Sequence, residues 1–258
     1  MPQTKIVFFD IDGTLIDMQA KKITPKMLET LHRLQDRGIK ICIATGRSPM
    51  VLPKIDGVAF DAYLTFNGSL CYDRKGVIFS NPIPHKDVVR FIQNAAALGR
   101  PVCVSTRDRL AANGTDTDLT DYFFIANEPV PVADDFDAVC AEDIYQLMLG
   151  CRPKDYPALL DGAPGAKIAA WWDRAVDVIP ASGGKGIGIE KMLAYYGLDK
   201  GEALAFGDGN NDREMLQAVG TGVAMENGSP ELKAIADEIC GPVYEDGIYH
   251  YCADKGLI

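Results

Sequence analysis

Residues 7–17 read VFFDIDGTLID, an apolar run that stops at two aspartates one residue apart, Asp10 and Asp12, followed at once by Gly13 and Thr14. The run predicts a buried strand over residues 6–9 with an acidic pair at its end. Side chains on a strand alternate faces, so Asp10 and Asp12 start on the same side, and a turn at Gly13 redirects the second carboxylate. Two nearby carboxylates repel each other unless something holds them. A divalent cation is the usual remedy, and hard oxygen ligands of this kind suit magnesium, which binds through one or two carboxylates together with water and substrate phosphate. Such a site favours phosphoryl chemistry. An Asp-x-Asp-Gly sequence is also an ordinary polar turn, so the choice between the two depends on the rest of the chain.

Working outward, Thr24 and Pro25 supply a helix N-cap and first-turn proline, and Met27, Leu28, Leu31 and Leu34 give a helical stripe that ends at Gly38. With an apolar strand over 39–44 this completes a β-α-β unit. Residues 62–66 form a further strand, then Asn67-Gly68 and a hairpin over 70–80 turning at 73–76. Residues 82–179 have a different texture: a helix over 87–98 and strands over 102–105, 144–149, 166–172 and 175–179, without strict alternation. This predicts an inserted α+β module that includes Trp171 and Trp172. From Ser182 the alternation resumes. Ile189, Met192, Leu193 and Tyr196 line one helix face closed by Gly197, followed by a strand over 203–206, a helix over 212–219, a strand over 222–224 and a helix over 229–237. The expected fold is α/β: a Rossmann-like, doubly wound parallel sheet with helices on both faces and an inserted α+β module, divided as 1–81, 82–181 and 182–258.

Three more segments accompany the first, each at the carboxyl end of a strand or the start of a helix, where ligands bind in such sheets. They are IKICIATGR at 39–47, SGGKGIG at 182–188 and ALAFGDGNND at 203–212. In this order the four segments resemble the haloacid dehalogenase (HAD) superfamily of phosphohydrolases, and most closely its Cof-like branch, which carries a large type IIB cap between the second and third motifs. Small departures occur: GRSPM has Ser48 before Pro49, AMENGSPELK has Gly228 where alanine is frequent, and PASGGKG lacks the usual valine. None removes a catalytic group.

The resemblance implies a role for each matching residue. Asp10 is the nucleophile that forms an aspartyl-phosphate. Asp12 is the general acid for the departing alkoxide, then the general base for water, with its backbone carbonyl on the metal. Thr45 and Gly46 receive phosphoryl oxygens. Lys185 screens Asp10 from the incoming dianion, and a lysine in a first helical turn already conflicts with the helix dipole. Asp208 ligates Mg2+, Asp212 does so directly or through water, and Asn211 orients a phosphate oxygen or Asp212. For Arg47 two readings stand side by side, a bidentate substrate contact and a loop-tip arginine that is solvated or paired with Asp. Asn67 is a substrate contact by family position and a turn residue by sequence. The charged stretch Arg107, Asp108 and Arg109 in the cap is a candidate for reaching a leaving group, with a solvated loop the preferred reading.

Composition narrows the partners. A net charge of -10 and 258 residues with 47% hydrophobic and 24% charged content describe a globular acidic protein. With a pI near 4.8, nucleic acid and anionic membrane are disfavoured. Seven cysteines without a Cys-x-x-Cys pair suggest a reducing, cytoplasmic setting with thiols as small core residues, and no apolar run reaches membrane-spanning length. The expectation is therefore a Mg2+-dependent phosphatase of small phosphate monoesters, sugar phosphates foremost, acting as a monomer or weak homo-oligomer. The alternatives are a phosphomutase of the phosphomannomutase type, which needs a more basic cavity, and a binding protein on the same scaffold, which intact Asp10, Asp12, Lys185 and Asp208 argue against.

Overall fold

In the computed structural model, which describes residues 3–125, 127–170 and 172–258, the strand ahead of Asp10 forms as β1 (Ile6–Phe9) with all four side chains buried. Helix α1 (Pro25–Asp36) follows, its N-cap Thr24 accepting the Met27 N–H, and leads into β2 (Lys40–Ala44), β3 (Ala62–Thr65) and the hairpin β4 (Leu70–Asp73) and β5 (Gly76–Ser80). The inserted stretch runs α2 (His85–Ala97), β6 (Cys103–Ser105), β7 (Leu110–Ala112), α3 (Thr117–Ile125), α4 (Phe136–Val139), β8 (Gln146–Gly150), α5 (Tyr156–Leu160), β9 (Ala166–Ala169) and β10 (Ala175–Pro180). The chain then continues as α6 (Lys185–Tyr196), β11 (Ala203–Gly207), α7 (Arg213–Ala218), β12 (Thr221–Met225), α8 (Pro230–Lys233), β13 (Glu238–Cys240) and α9 (Gly247–Asp254).

These elements form two compact units. The first comprises the residues up to Arg47 with Pro53–Ser80 and Gly184–Ile258, and the second Ser48–Leu52 with Asn81–Gly183. In the first, the described strands form one sheet in the order β13-β12-β11-β1-β2-β3-β4-β5. Pairing is parallel from β13 to β3 and antiparallel in the terminal hairpin. Strand β1 has β11 on one side and β2 on the other, so Phe9 is in register with both Phe206 and Ile43. The residues after these three strands therefore emerge side by side at their carboxyl ends, where the strand order reverses. Phe9 stacks on Phe206 at 5.5 Å, and Tyr251 meets Phe206 edge-on at 5.4 Å. Burying each such ring stabilises the fold by about 1.5–3 kcal/mol, which anchors the strand that presents Asp10.

The second unit is built on an antiparallel sheet in the order β7-β6-β8-β10-β9, with Phe91 of α2 packed among Val104, Leu147, Leu149, Val176 and Val178. On α3, Asp118 accepts hydrogen bonds from Arg100, Arg152 and Arg174. Three guanidinium groups thus tie this helix to the segments around β6, β8 and β10.

Several elements differ from expectation, among them β7, α4, α5, β13 and α9, which the sequence reading did not contain. The strand ending at β3 stops at Thr65 because Phe66 already has left-handed backbone, with φ 51°. Helix α8 is cut short because Asp237 turns back to β12: its N–H donates to Gly222 O at 2.9 Å and its carboxylate accepts from Gly222 N at 2.8 Å, which starts β13. The strand expected over 166–172 ends at Ala169, and Trp171 lies outside the described residues. Helix α3 was not expected, although Leu119 and Phe123 are spaced one helical turn apart.

Candidate active site

Asp10 follows β1 directly, and its N–H donates to Phe206 O at 3.0 Å, so the strand ladder holds its backbone. Lys185, the first residue of α6, is the only fully buried lysine among the described residues. Its Nζ donates to Asp10 Oδ1 at 2.7 Å and to Asp212 Oδ1 at 2.5 Å. Asp212, with no exposed side-chain surface, uses its other oxygen to accept the N–H groups of Asp208 and Gly209, both at 3.0 Å. Gly207 has no alternative here: a Cβ would stand 2.7 Å from the Asp212 carboxyl carbon.

Burial by itself would lower the Lys185 pKa, but the adjacent Asp10 and Asp212 carboxylates outweigh it and raise the ammonium well above the ordinary lysine value. The same burial, with Asp212, Asp208 and Asp12 nearby, raises Asp10 well above the usual carboxylate range against the opposing pull of Lys185. Asp208 is pushed up to about 7, mainly by burial and then by Asp212. Thr14 Oγ1 donates to Asp208 Oδ1 at 3.0 Å and partly offsets this.

One oxygen from each of Asp10, Asp208 and Asp212 lies within 4.8 Å of the others. Three carboxylates this close, with one lysine as their fixed counter-charge, make an all-oxygen anionic donor set that fits a hard divalent cation. Gly13, at φ 86°, is what lets the first loop approach this cluster, since a Cβ there would run into the Asp208 carboxylate.

The Asp12 carboxylate bonds to a residue outside this cluster. Arg47 grips it with two parallel bonds, Nε to Oδ2 at 2.8 Å and Nη2 to Oδ1 at 2.7 Å. Both side chains are about one-third exposed, at 34% and 33%. Of the two sequence readings of Arg47, the pairing with Asp is the one the structure contains. Thr45 is buried after β2 and caps its own turn by accepting the Arg47 N–H at 3.2 Å. Asn67 is also buried, and its Oδ1 accepts from Asn211 Nδ2 at 3.2 Å. All the candidate residues therefore fall in the first unit, on loops after β1, β2, β3 and β11 and at the start of α6.

Sequence reading missed three side chains that hold these loops. Thr14 bonds Asp208, Asn227 Nδ2 donates to Gly13 O at 2.8 Å, and Ser229 Oγ donates to Asn210 Oδ1 at 2.8 Å while its N–H donates to Asp208 O. The only sequence signal was Ser229-Pro230, a helix-start pair that also marks the loop beside Asp208.

A family profile described as haloacid dehalogenase-like hydrolase spans residues 7–252. YkrA of Bacillus subtilis (strain 168) is 35% identical over 257 residues, covering 99% of both chains. The 5-amino-6-(5-phospho-D-ribitylamino)uracil phosphatase YitU of the same organism is 28% identical, with 95% of each chain covered. Among solved structures, the HAD subclass IIB sugar phosphatase BT4131 superposes with a TM-score of 0.89 at 28% identity, covering 99% of this chain and 100% of its own.

Proposed function

Because the chain belongs to the haloacid dehalogenase-like hydrolases and is a phosphatase of their Cof-like, type IIB branch, we propose that it hydrolyses small sugar phosphate monoesters with Mg2+ through an aspartyl-phosphate on Asp10. The observation that carries this reading is the contact of Lys185 with both Asp10 and Asp212, which puts one buried cation between the nucleophile and the acidic cluster.

In the first step an Asp10 oxygen bonds to phosphorus as the ester P–O bond breaks, and the departing alkoxide takes a proton from Asp12. In the second, Asp12 accepts a proton from water, whose oxygen attacks the aspartyl-phosphate. Inorganic phosphate leaves and Asp10 is regenerated. Lys185 favours the ionised form of Asp10 in a site whose burial favours the neutral acid. Thr45, the Gly46 backbone and Asn211 hold the phosphoryl oxygens, and Arg47 fixes the direction of Asp12 while serving as a substrate contact. Mg2+, held by Asp10, Asp208, Asp212 and the Asp12 carbonyl, would supply charge neutralisation to the transferring group.

We assign the leaving-group preference to residues 82–181 as the cap. Sugar phosphates are favoured because one similar protein is named a sugar phosphatase and another a phosphatase of a phosphoribityl compound. A reducing cytoplasmic setting is supported by seven cysteines that are all buried and unpaired with one another.

The test is phosphate release from a panel of phosphomonoesters, with and without Mg2+, by the native protein and by Asp10→Asn. Metal-dependent turnover that disappears in the variant is expected. Equal turnover in both proteins would sink the mechanism, and no turnover on any ester would favour the mutase or binding-protein alternatives.

A further inference from the structure

Three consecutive residues after β3 have left-handed backbone: Phe66 at φ 51°, Asn67 at φ 51° and Gly68 at φ 93°. For the two non-glycine residues this conformation is disfavoured by their own Cβ atoms and persists only where the surroundings enforce it. Each of the three is buried. Several of the contacts that hold them come from the loops of the phosphate site. Phe66 N donates to Arg47 O and Asn67 N to Thr45 O, both at 3.0 Å. The Asn67 carboxamide lies against Gly46, where a Cβ would stand 3.1 Å from Nδ2, and its Oδ1 accepts from Asn211. Gly68 meets the start of α6, since a Cβ there would collide with Gly184 O and come within 3.2 Å of Lys185 Cα.

We propose that Asn67 is a positioning residue of the phosphate site: its left-handed backbone and its carboxamide lock the Thr45–Gly46 turn, Asn211 and the Lys185 end of α6 into one arrangement. The inference rests on the phosphatase reading and goes beyond it, because it places Asn67 behind the phosphate-holding groups instead of on the substrate. Asparagine suits the task for two reasons. It tolerates the left-handed region better than other residues with a Cβ, and its oxygen is the acceptor that Asn211 needs.

Separate variants isolate the two contributions. Asn67→Gly keeps the backbone permitted and deletes the amide, whereas Asn67→Ala also adds backbone strain and can fail to fold, so the glycine variant carries the test. The measurements are kcat and KM on several esters, the inhibition constant of inorganic phosphate, and Tm, for the native protein, Asn67→Gly, Asn211→Ala and the double variant. A displacement of aligned groups by about 1 Å costs up to about 100-fold in rate. We expect Asn67→Gly to lower kcat by about 10- to 100-fold and to weaken phosphate inhibition by about 10-fold, equally for every ester. The double variant should lose less than the product of the two single losses, because part of the amide's effect runs through Asn211.

Losses that multiply in the double variant, or that change from ester to ester, would instead make Asn67 an independent substrate contact and overturn the proposal. A lower Tm with unchanged kcat and phosphate inhibition would reduce it to a folding role and overturn the proposal equally. A native protein that neither turns over esters nor is inhibited by phosphate defeats the phosphatase reading, and the proposal with it. A native protein that does both, with variants indistinguishable from it, defeats the Asn67 role alone.

Discussion

Lys185 Nζ stands 2.7 Å from Asp10 Oδ1, and neither side chain is more than one-tenth exposed. A lysine at the amino end of a helix is opposed by the helix dipole. Here that cost is offset because the same ammonium also meets Asp212 at 2.5 Å. The position of Lys185 is thus explained by its partners at the carboxyl ends of the sheet and not by the helix that begins with it.

Replacing Lys185 by Met keeps the side-chain length and removes the charge. Turnover should fall by about 10³-fold, the scale of losing an electrostatic group aimed at developing charge. Removing one partner of a buried ion pair should also destabilise the fold by about 3–5 kcal/mol. Steady-state phosphate release and urea denaturation check the two effects; a variant with native kcat would remove Lys185 from the mechanism.

Gly13→Ala places a Cβ into the Asp208 carboxylate at a residue with φ 86°. The strained backbone alone should cost about 1–3 kcal/mol. The displaced Asp208 should weaken Mg2+ binding, read by calorimetric titration of the variant against the native protein. Unchanged affinity would show that the loop yields without disturbing the acidic cluster.

Arg47→Lys breaks a two-bond fork that a single ammonium cannot reproduce. With both side chains about one-third exposed, stability should change by less than about 1 kcal/mol. In the proposed mechanism catalysis depends on the direction of Asp12, so kcat should fall by about 10-fold while Tm stays near native, a division of effects that parallel kinetic and thermal measurements resolve.

Asp118 in the second unit should make stability depend on pH. Its carboxyl is held below the usual range, first by the Arg152 hydrogen bond, against burial, and then by Arg174. The unfolded chain therefore binds this proton first as pH falls. The stabilisation is complete above the unfolded aspartate pKa of about 3.9 and is lost as pH drops through the lower folded value. Denaturation between pH 6 and pH 2.5 should show a shallower slope for Asp118→Asn than for the native protein; equal slopes would mean that the arginine cluster contributes nothing to acid stability.

Local chemistry in the sequence determined the parallel β-α core, because an apolar run, a capped helix start such as Thr24-Pro25 and a helix end such as Gly197 are decided within a few residues. It also placed Asp10, Lys185, Asp208 and Asp212 at strand ends and a helix start, since each terminates or opens a local pattern. Other features could be decided only by segments distant in the chain. Arg47 chooses Asp12 across 35 positions, Asn211 meets Asn67 across 144, and Phe66 leaves the extended region where its own sequence would continue β3. The turn of Asp237 onto β12 ends α8 in the same way, with a backbone partner outweighing a helical run. Periodicity and capping report what a residue prefers among its neighbours. Which hydrogen bond a buried carboxylate, guanidinium or carboxamide finally makes is decided by what the packed sheet brings within about 3 Å of it.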